Sequence, residues 1–149
     1  MPTSTRWFVR SGMVYFLLGV ILAFLSEFEL FSKISLLPVY WHMLVIGWIT
    51  QLIIGVSVWM FPRKYRDKKK RESILVWTTF WSLNLGLILR FISEPILHLY
   101  PGSTLLNGVV ILSALLQVTA FLCYIAEIWP RLQPRKKRRQ KSKKREVNA

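Results

Sequence analysis

Four apolar stretches, each long enough to cross a bilayer, fill most of a chain of only 149 residues. They run over residues 7–26, 40–61, 73–93 and 104–129. A hydrocarbon core of about 30 Å takes about 20 apolar residues in helix. Lipid offers no partner to an open backbone, so stretches of this kind span as helices. The expected fold is all-α: a four-helix transmembrane bundle of up-down topology over residues 1–130, followed by a disordered basic tail over 131–149. Little chain is left for a water-soluble domain. Any chemistry must use side chains on or beside the four helices, which excludes most soluble enzyme classes.

Charge placement sets the expected orientation. The chain carries 21 Lys and Arg against 7 Asp and Glu, a net charge of +14. In a soluble protein that excess would suggest nucleic acid. Here 53% of residues are apolar, mean hydropathy is +0.37, and the basic residues are segregated. Arg6 and Arg10 flank the start of the first stretch, seven lie in 63–71 and ten in 131–145; only Lys33 and Arg90 fall elsewhere. So 19 of 21 lie on one side of a four-span layout. By the positive-inside rule both termini and the middle loop are cytoplasmic. The connections 27–39 and 94–103 then face outward, carrying Glu27, Glu29, Lys33 and Glu94.

The remaining segments are read in the same terms. The first stretch is longer than a signal-peptide core, and Ser26-Glu27-Phe28-Glu29 is not a small-x-small cleavage site, so it is expected to be retained. The link 27–38 is amphipathic, and Phe28, Leu30, Phe31, Ile34 and Leu37 would lie along the interface as a short helix. The loop 62–72 (PRKYRDKKKRE) is too charged for lipid, and Pro62 should end the second span. Pro95, Pro101 and Gly102 predict a sharp turn over 94–103. The tail's basic residues would rest on anionic lipid headgroups. No aromatics are interleaved with them, so nucleic-acid binding is not expected. Trp7, Tyr40, Trp41, Trp59, Trp77, Tyr100 and Trp129 fall near span ends as an aromatic belt, whereas Trp48 and Trp81 lie deeper and should pack between helices. The lone Cys123 has no partner for a disulfide, and no Cys-x-x-Cys-His motif for attaching haem occurs.

Polar groups inside a membrane are costly and need a partner or a purpose. They are His42, Thr50, Gln51, Asn84, Arg90, Asn107 and Gln117, with Glu127 near the inner end. His42 opens span two and Arg90 lies late in span three, which runs the opposite way, so the two should share a depth. Glu94 follows Arg90 by four residues and should pair with it. His98 lies just beyond Pro95 on the same side. At 100° per residue of ideal helix, His42 shares a face with Ile46, Ile49, Ile53 and Val56. Gly47, Gln51 and Gly55 form a separate stripe that permits close helix approach. Ser82, Gly86, Arg90 and Glu94 make a comparable stripe on span three. A histidine over an aliphatic wall suits an axial haem ligand, and an arginine beside it suits haem propionates. The competing reading is that His42 bonds to Glu94 or to headgroups while Arg90 snorkels outward. The spacing of His42, Glu94 and His98 matches no tight metal-ligand pattern.

Residues 41–63 (WHMLVIGWITQLIIGVSVWMFPR) resemble the second transmembrane helix of the catalytic subunit of haem-copper oxidases and the related nitric oxide reductases. His42, Gly47, Gly55, Trp59, Met60 and Pro62 stand in that helix's order. Short bacterial proteins described as subunit I-like or NnrS-like look similar. The resemblance implies a respiratory-type membrane protein with a b-type haem, and implies that His42 ligates its iron. Arg90 and His98 are the associated candidates, His98 as the one other histidine in the chain. Full catalytic subunits have about twelve spans and several further histidines. This chain has four spans, so oxygen reduction by it alone is not expected. The expected role is electron transfer or sensing, as a homo-oligomer or a subunit of a larger membrane complex. The alternative is a cofactor-free accessory or assembly subunit.

Overall fold

The computed structural model describes residues 1–28, 36–61, 73–100 and 102–132. Expectations for Glu29, Lys33 and most of the amphipathic link, for the loop 62–72, for Pro101 and for the tail from 133 onward lie outside the described residues. Four helices are long and apolar enough to cross a membrane: α1 (Thr3–Ser26), α2 (Leu37–Met60), α3 (Ile74–Leu99) and α4 (Thr104–Leu132). No strand occurs among the described residues. Large apolar side chains such as Leu17, Phe24, Ile53, Leu115 and Leu122 stand exposed around the bundle. A water-soluble surface would not carry so much contiguous apolar area, and a bilayer accounts for it. The chain is an integral membrane protein.

The helices begin and end for local reasons. Ser73 has an extended backbone, and its hydroxyl accepts the Leu75 N–H at 3.3 Å, capping α3. Phe61 is extended (φ −95°, ψ 96°) and stops α2 after Met60. The residue before a proline is pushed out of the helical region, and Pro62 follows. Gly102, at φ +99°, makes the turn between α3 and α4 that a side chain would resist.

Two prolines depart from expectation. α3 does not stop at Glu94 but continues through Pro95 to Leu99, so the expected turn falls only at the end of 94–103, at Gly102. α4 likewise continues through Pro130, so Arg131 and Leu132 are helical rather than the start of a tail. In a helix's last turns a proline forfeits a single ladder bond, and membrane helices tolerate that loss.

The chain folds as two antiparallel hairpins, α1 with α2 and α3 with α4, each packed more closely within itself than against the other. Small residues make this possible. A methyl placed on Gly47 would lie 2.7 Å from Tyr15 Cγ, and one on Gly55 would lie 2.9 Å from Phe8 Cβ. Gly86 on α3 lies against α4 in the same way, 3.0 Å from Ser113 O and Gln117 Cγ on that measure. The expected Gly47/Gly55 stripe is thus the seam between α1 and α2. Phe8, Ile54, Val58, Val76, Phe80, Leu83, Leu87 and Ala120 form the core between hairpins, with Phe8 edge-to-face on Phe80 at 5.1 Å. Trp48 packs on Phe16 of α1, ring centres 4.2 Å apart, as expected. Trp81 does not pack between helices; it is 57% exposed and faces the surroundings.

The middle of α2, Met43–Thr50, is π-helical. Its hydrogen bonds reach one residue further than in an α-helix, and each turn is wider. Thr50 adds its hydroxyl to the Val45 carbonyl five residues back, at 2.8 Å. This segment overturns the alignment of His42 with an aliphatic wall. Ile49, Ile53 and Val56 stand exposed, whereas His42 approaches α3. A constant 100° step cannot be carried across a wider turn.

Candidate functional site

Three polar clusters cross between helices. Near mid-bundle, the Ser11 hydroxyl of α1 lies 2.6 Å from Gln51 Oε1 and 2.7 Å from the Trp7 carbonyl, one proton serving both. Gln51 Nε2 donates to Asn84 Oδ1 at 3.2 Å, and Asn84 Nδ2 donates to the Phe80 carbonyl at 2.7 Å. Gln51 and Asn84 are buried, so this chain satisfies amides that lipid could not. At one end, Glu127 and Arg131 of α4 pair with each other. Glu127 Oε2 accepts the Ser73 hydroxyl at 2.6 Å, and Arg131 Nη1 donates to the carbonyls of Val58 at 3.1 Å and Phe61 at 3.0 Å. Beside this end, Ser57 and Tyr124 hydroxyls meet at 2.9 Å. These clusters hold the hairpins together.

The third cluster has chemistry to offer. His42 sits one turn after Pro38, and its Nδ1 lies 2.6 Å from the Pro38 carbonyl. A carbonyl only accepts, so Nδ1 carries the proton, and in the neutral ring Nε2 keeps its lone pair. Across the interface Glu94 Oε2 lies 3.9 Å from His42 Nδ1. Arg90 Nε donates to Glu94 Oε1 at 2.5 Å, four residues apart on α3. The Glu94 side chain is 12% exposed, and Oε2 has no hydrogen bond among the described residues. The expected Arg90–Glu94 pair forms, and His42 lies at its level.

His98 is not drawn into this cluster. It stands exposed in the last turn of α3. Among the described residues no group of three or more His, Cys, Asp or Glu side chains is placed to hold a metal ion. Asn107 is exposed at the start of α4, and Gln117 is buried farther along it.

A haem iron takes an imidazole nitrogen whose ring is held at its other nitrogen by a carbonyl or carboxylate. His42 fits that requirement through Pro38, with Glu94 beside it. Arg90 spends only Nε on Glu94 and keeps its terminal nitrogens for an anionic group such as a propionate. With no Cys-x-x-Cys-His motif, such a haem would be held without covalent attachment.

Some partners were not foreseen from sequence. Pro38 lies four residues before His42, and Glu127 lies four before Arg131; both are spacings that join side chains or carbonyls along one helix face. Ser11 carried no signal beyond being a polar residue in an apolar run.

Arg90→Leu should leave Glu94 stranded in a largely buried position. We expect a lower unfolding midpoint in detergent micelles and loss of any pigment the parent carries. A variant matching the parent in both would remove the pair from any role.

Comparison with protein-family models, with curated proteins and with solved structures finds no match for this chain. Its class rests on the four spans, and the reading of its site rests on the geometry above.

Proposed function

We propose that this chain is a small integral protein of the bacterial cytoplasmic membrane that holds one b-type haem at its outer face for electron transfer or sensing. The observation that carries the reading is His42: its Nδ1–H bond to the Pro38 carbonyl, 2.6 Å long, fixes the ring and leaves Nε2 free. The resemblance of residues 41–63 to the haem-ligating helix of haem-copper oxidases supports the same residue. Segregation of 19 of 21 basic residues supports cytoplasmic termini, an outward His42 end and a basic tail on anionic headgroups. The bound group would supply one-electron chemistry. The chain's own residues would supply His42 to hold the iron, Pro38 to hold its imidazole with Glu94 beside it, and Arg90 to hold a propionate. His98, or the His42 of a second copy, would supply a second ligand, and the working form would be a homo-oligomer or a subunit of a larger complex. Two histidines are too few for an oxygen-reducing haem-copper centre, so the chain is not an oxidase by itself.

A cofactor-free accessory or assembly subunit is the second reading. It is favoured by the way Pro38 and Glu94 already flank the His42 ring.

Visible spectra of protein purified from haem-replete cells separate the two. A Soret band with a reduced α-band of b type is expected, and His42→Ala should abolish both. His98→Ala then reports the second ligand: loss of low-spin character assigns His98, and an unchanged spectrum assigns the second copy. Colourless parent protein would overturn the haem reading and leave the accessory subunit.

A further inference from the structure

Several hydroxyl groups on the membrane helices follow a rule here, and the buried hydroxyls of Thr5, Ser93 and Ser113 break it. Ser11, Ser57, Thr79 and Thr119 each direct the hydroxyl at a carbonyl three or four residues back on their own helix. That bond is the ordinary way for a serine or threonine to satisfy itself in lipid. Ser93 on α3 and Ser113 on α4 are buried to 2% and 0% exposure, and neither hydroxyl has a partner among the described residues. The same holds for Gln117 Nε2, one turn beyond Ser113 and 6% exposed.

These three side chains belong to one seam. Gly86 faces α4 between Ser113 and Gln117, and a methyl on it would lie 3.0 Å from Ser113 O and from Gln117 Cγ. Ser93 is two turns along α3 from Gly86, and at 3.6 residues per turn it lies on nearly the same face. An amide N–H₂ and two hydroxyls with no protein partner are an expensive arrangement away from water. Buried polar groups of this kind are usually satisfied by an ordered water that bonds to two or more of them.

We propose that the α3–α4 seam binds water, with Gln117 Nε2 and Ser113 Oγ holding one molecule between them and Ser93 Oγ holding a second towards the Glu94 end. Water fits because each orphan is a small donor or acceptor group that one water can satisfy. The site is independent of whether His42 binds haem.

A crystal structure of the full chain in lipidic mesophase, refined with waters, tests the site directly. Density within about 2.7–3.2 Å of both Gln117 Nε2 and Ser113 Oγ is expected. Finding Gln117 Nε2 bonded to a protein carbonyl, or Ser113 turned back on its own helix, overturns the proposal. Equilibrium unfolding in mixed micelles gives a second reading. Ser113→Ala should lower the midpoint in the parent and leave it unchanged in a Gln117→Leu background, because the shared water is already gone. An equal shift in both backgrounds means the two side chains act separately, and the proposal falls.

Discussion

Arg131→Ala is expected to lower the stability of the bundle by about 3–5 kcal/mol, the usual cost of removing one partner from a buried ion pair. The Arg131 and Glu127 side chains are 6% and 9% exposed. Without the guanidinium, Glu127 loses this ion pair and keeps its bond to the Ser73 hydroxyl. The carbonyls of Val58 and Phe61 at the end of α2 also lose their donor. Those groups have no helical partner of their own, and a cation suits the negative end of a helix. Arg131→Lys should recover only part of the loss, since one ammonium cannot reproduce a planar fork that serves two carbonyls and a carboxylate. Glu127→Gln combined with Arg131→Ala should cost less than Arg131→Ala alone, because the group that the guanidinium paired with is then neutral. Reversible unfolding in mixed micelles measures all three. Parent-like stability in Arg131→Ala would show that the clamp contributes nothing.

The second large effect concerns one glycine. Gly47→Ala should destabilise by about 1–3 kcal/mol, the range for forcing an extra group into a packed interface. The new methyl would meet Tyr15 Cγ at 2.7 Å and Tyr15 Cβ at 2.8 Å. Those atoms are the rooted part of the side chain, so α1 and α2 must move apart rather than a rotamer yield. Gly108→Ala is the matching control. Nothing lies within 4 Å of a methyl there. Alanine is the better helix former by about 0.8–1 kcal/mol, so that change should be neutral or stabilising. Equal effects at the two positions would refute the close-packed seam.

Hydropathy made the four spans legible because the bilayer imposes length and apolarity on any segment that crosses it. It said far less about which side of each helix faces inward. Trp81 shows why. Lipid is as apolar as a protein core, so an aromatic residue is equally at home on either side, and depth along the span does not decide between them. Small residues were the better guide: Gly47 and Gly55 mark an interface because only there does lack of volume help. The pairing of Arg90 with Glu94 was readable from a four-residue interval. The partners of His42 were readable only in part. The π-helical turn at Met43–Thr50 rotates His42 against the rest of α2, and no pattern in WHMLVIGWIT announces it. Arg131 was hidden for a different reason. It opens a run of basic residues, and only the continuation of α4 through Pro130 separates it from them.

The division of labour between the two kinds of contact bears on how such a chain is assembled. Within each hairpin the helices meet through close apolar packing around glycine, which needs no distant part of the chain to be present. Between hairpins the apolar core is joined by directional contacts: Gln51 with Asn84, Ser57 with Tyr124, Arg131 with Val58 and Phe61, and His42 beside Glu94. A slip of one hairpin by one helical turn would part every one of these pairs by about 5.4 Å. Each hairpin can therefore enter the bilayer as a unit during synthesis, while docking between them is all-or-none in register. A misdocked chain would part the Gln51 and Asn84 amides from each other and the Val58 and Phe61 carbonyls from their donor at once, the kind of exposed polarity by which membrane quality control can tell an unfinished protein from a finished one.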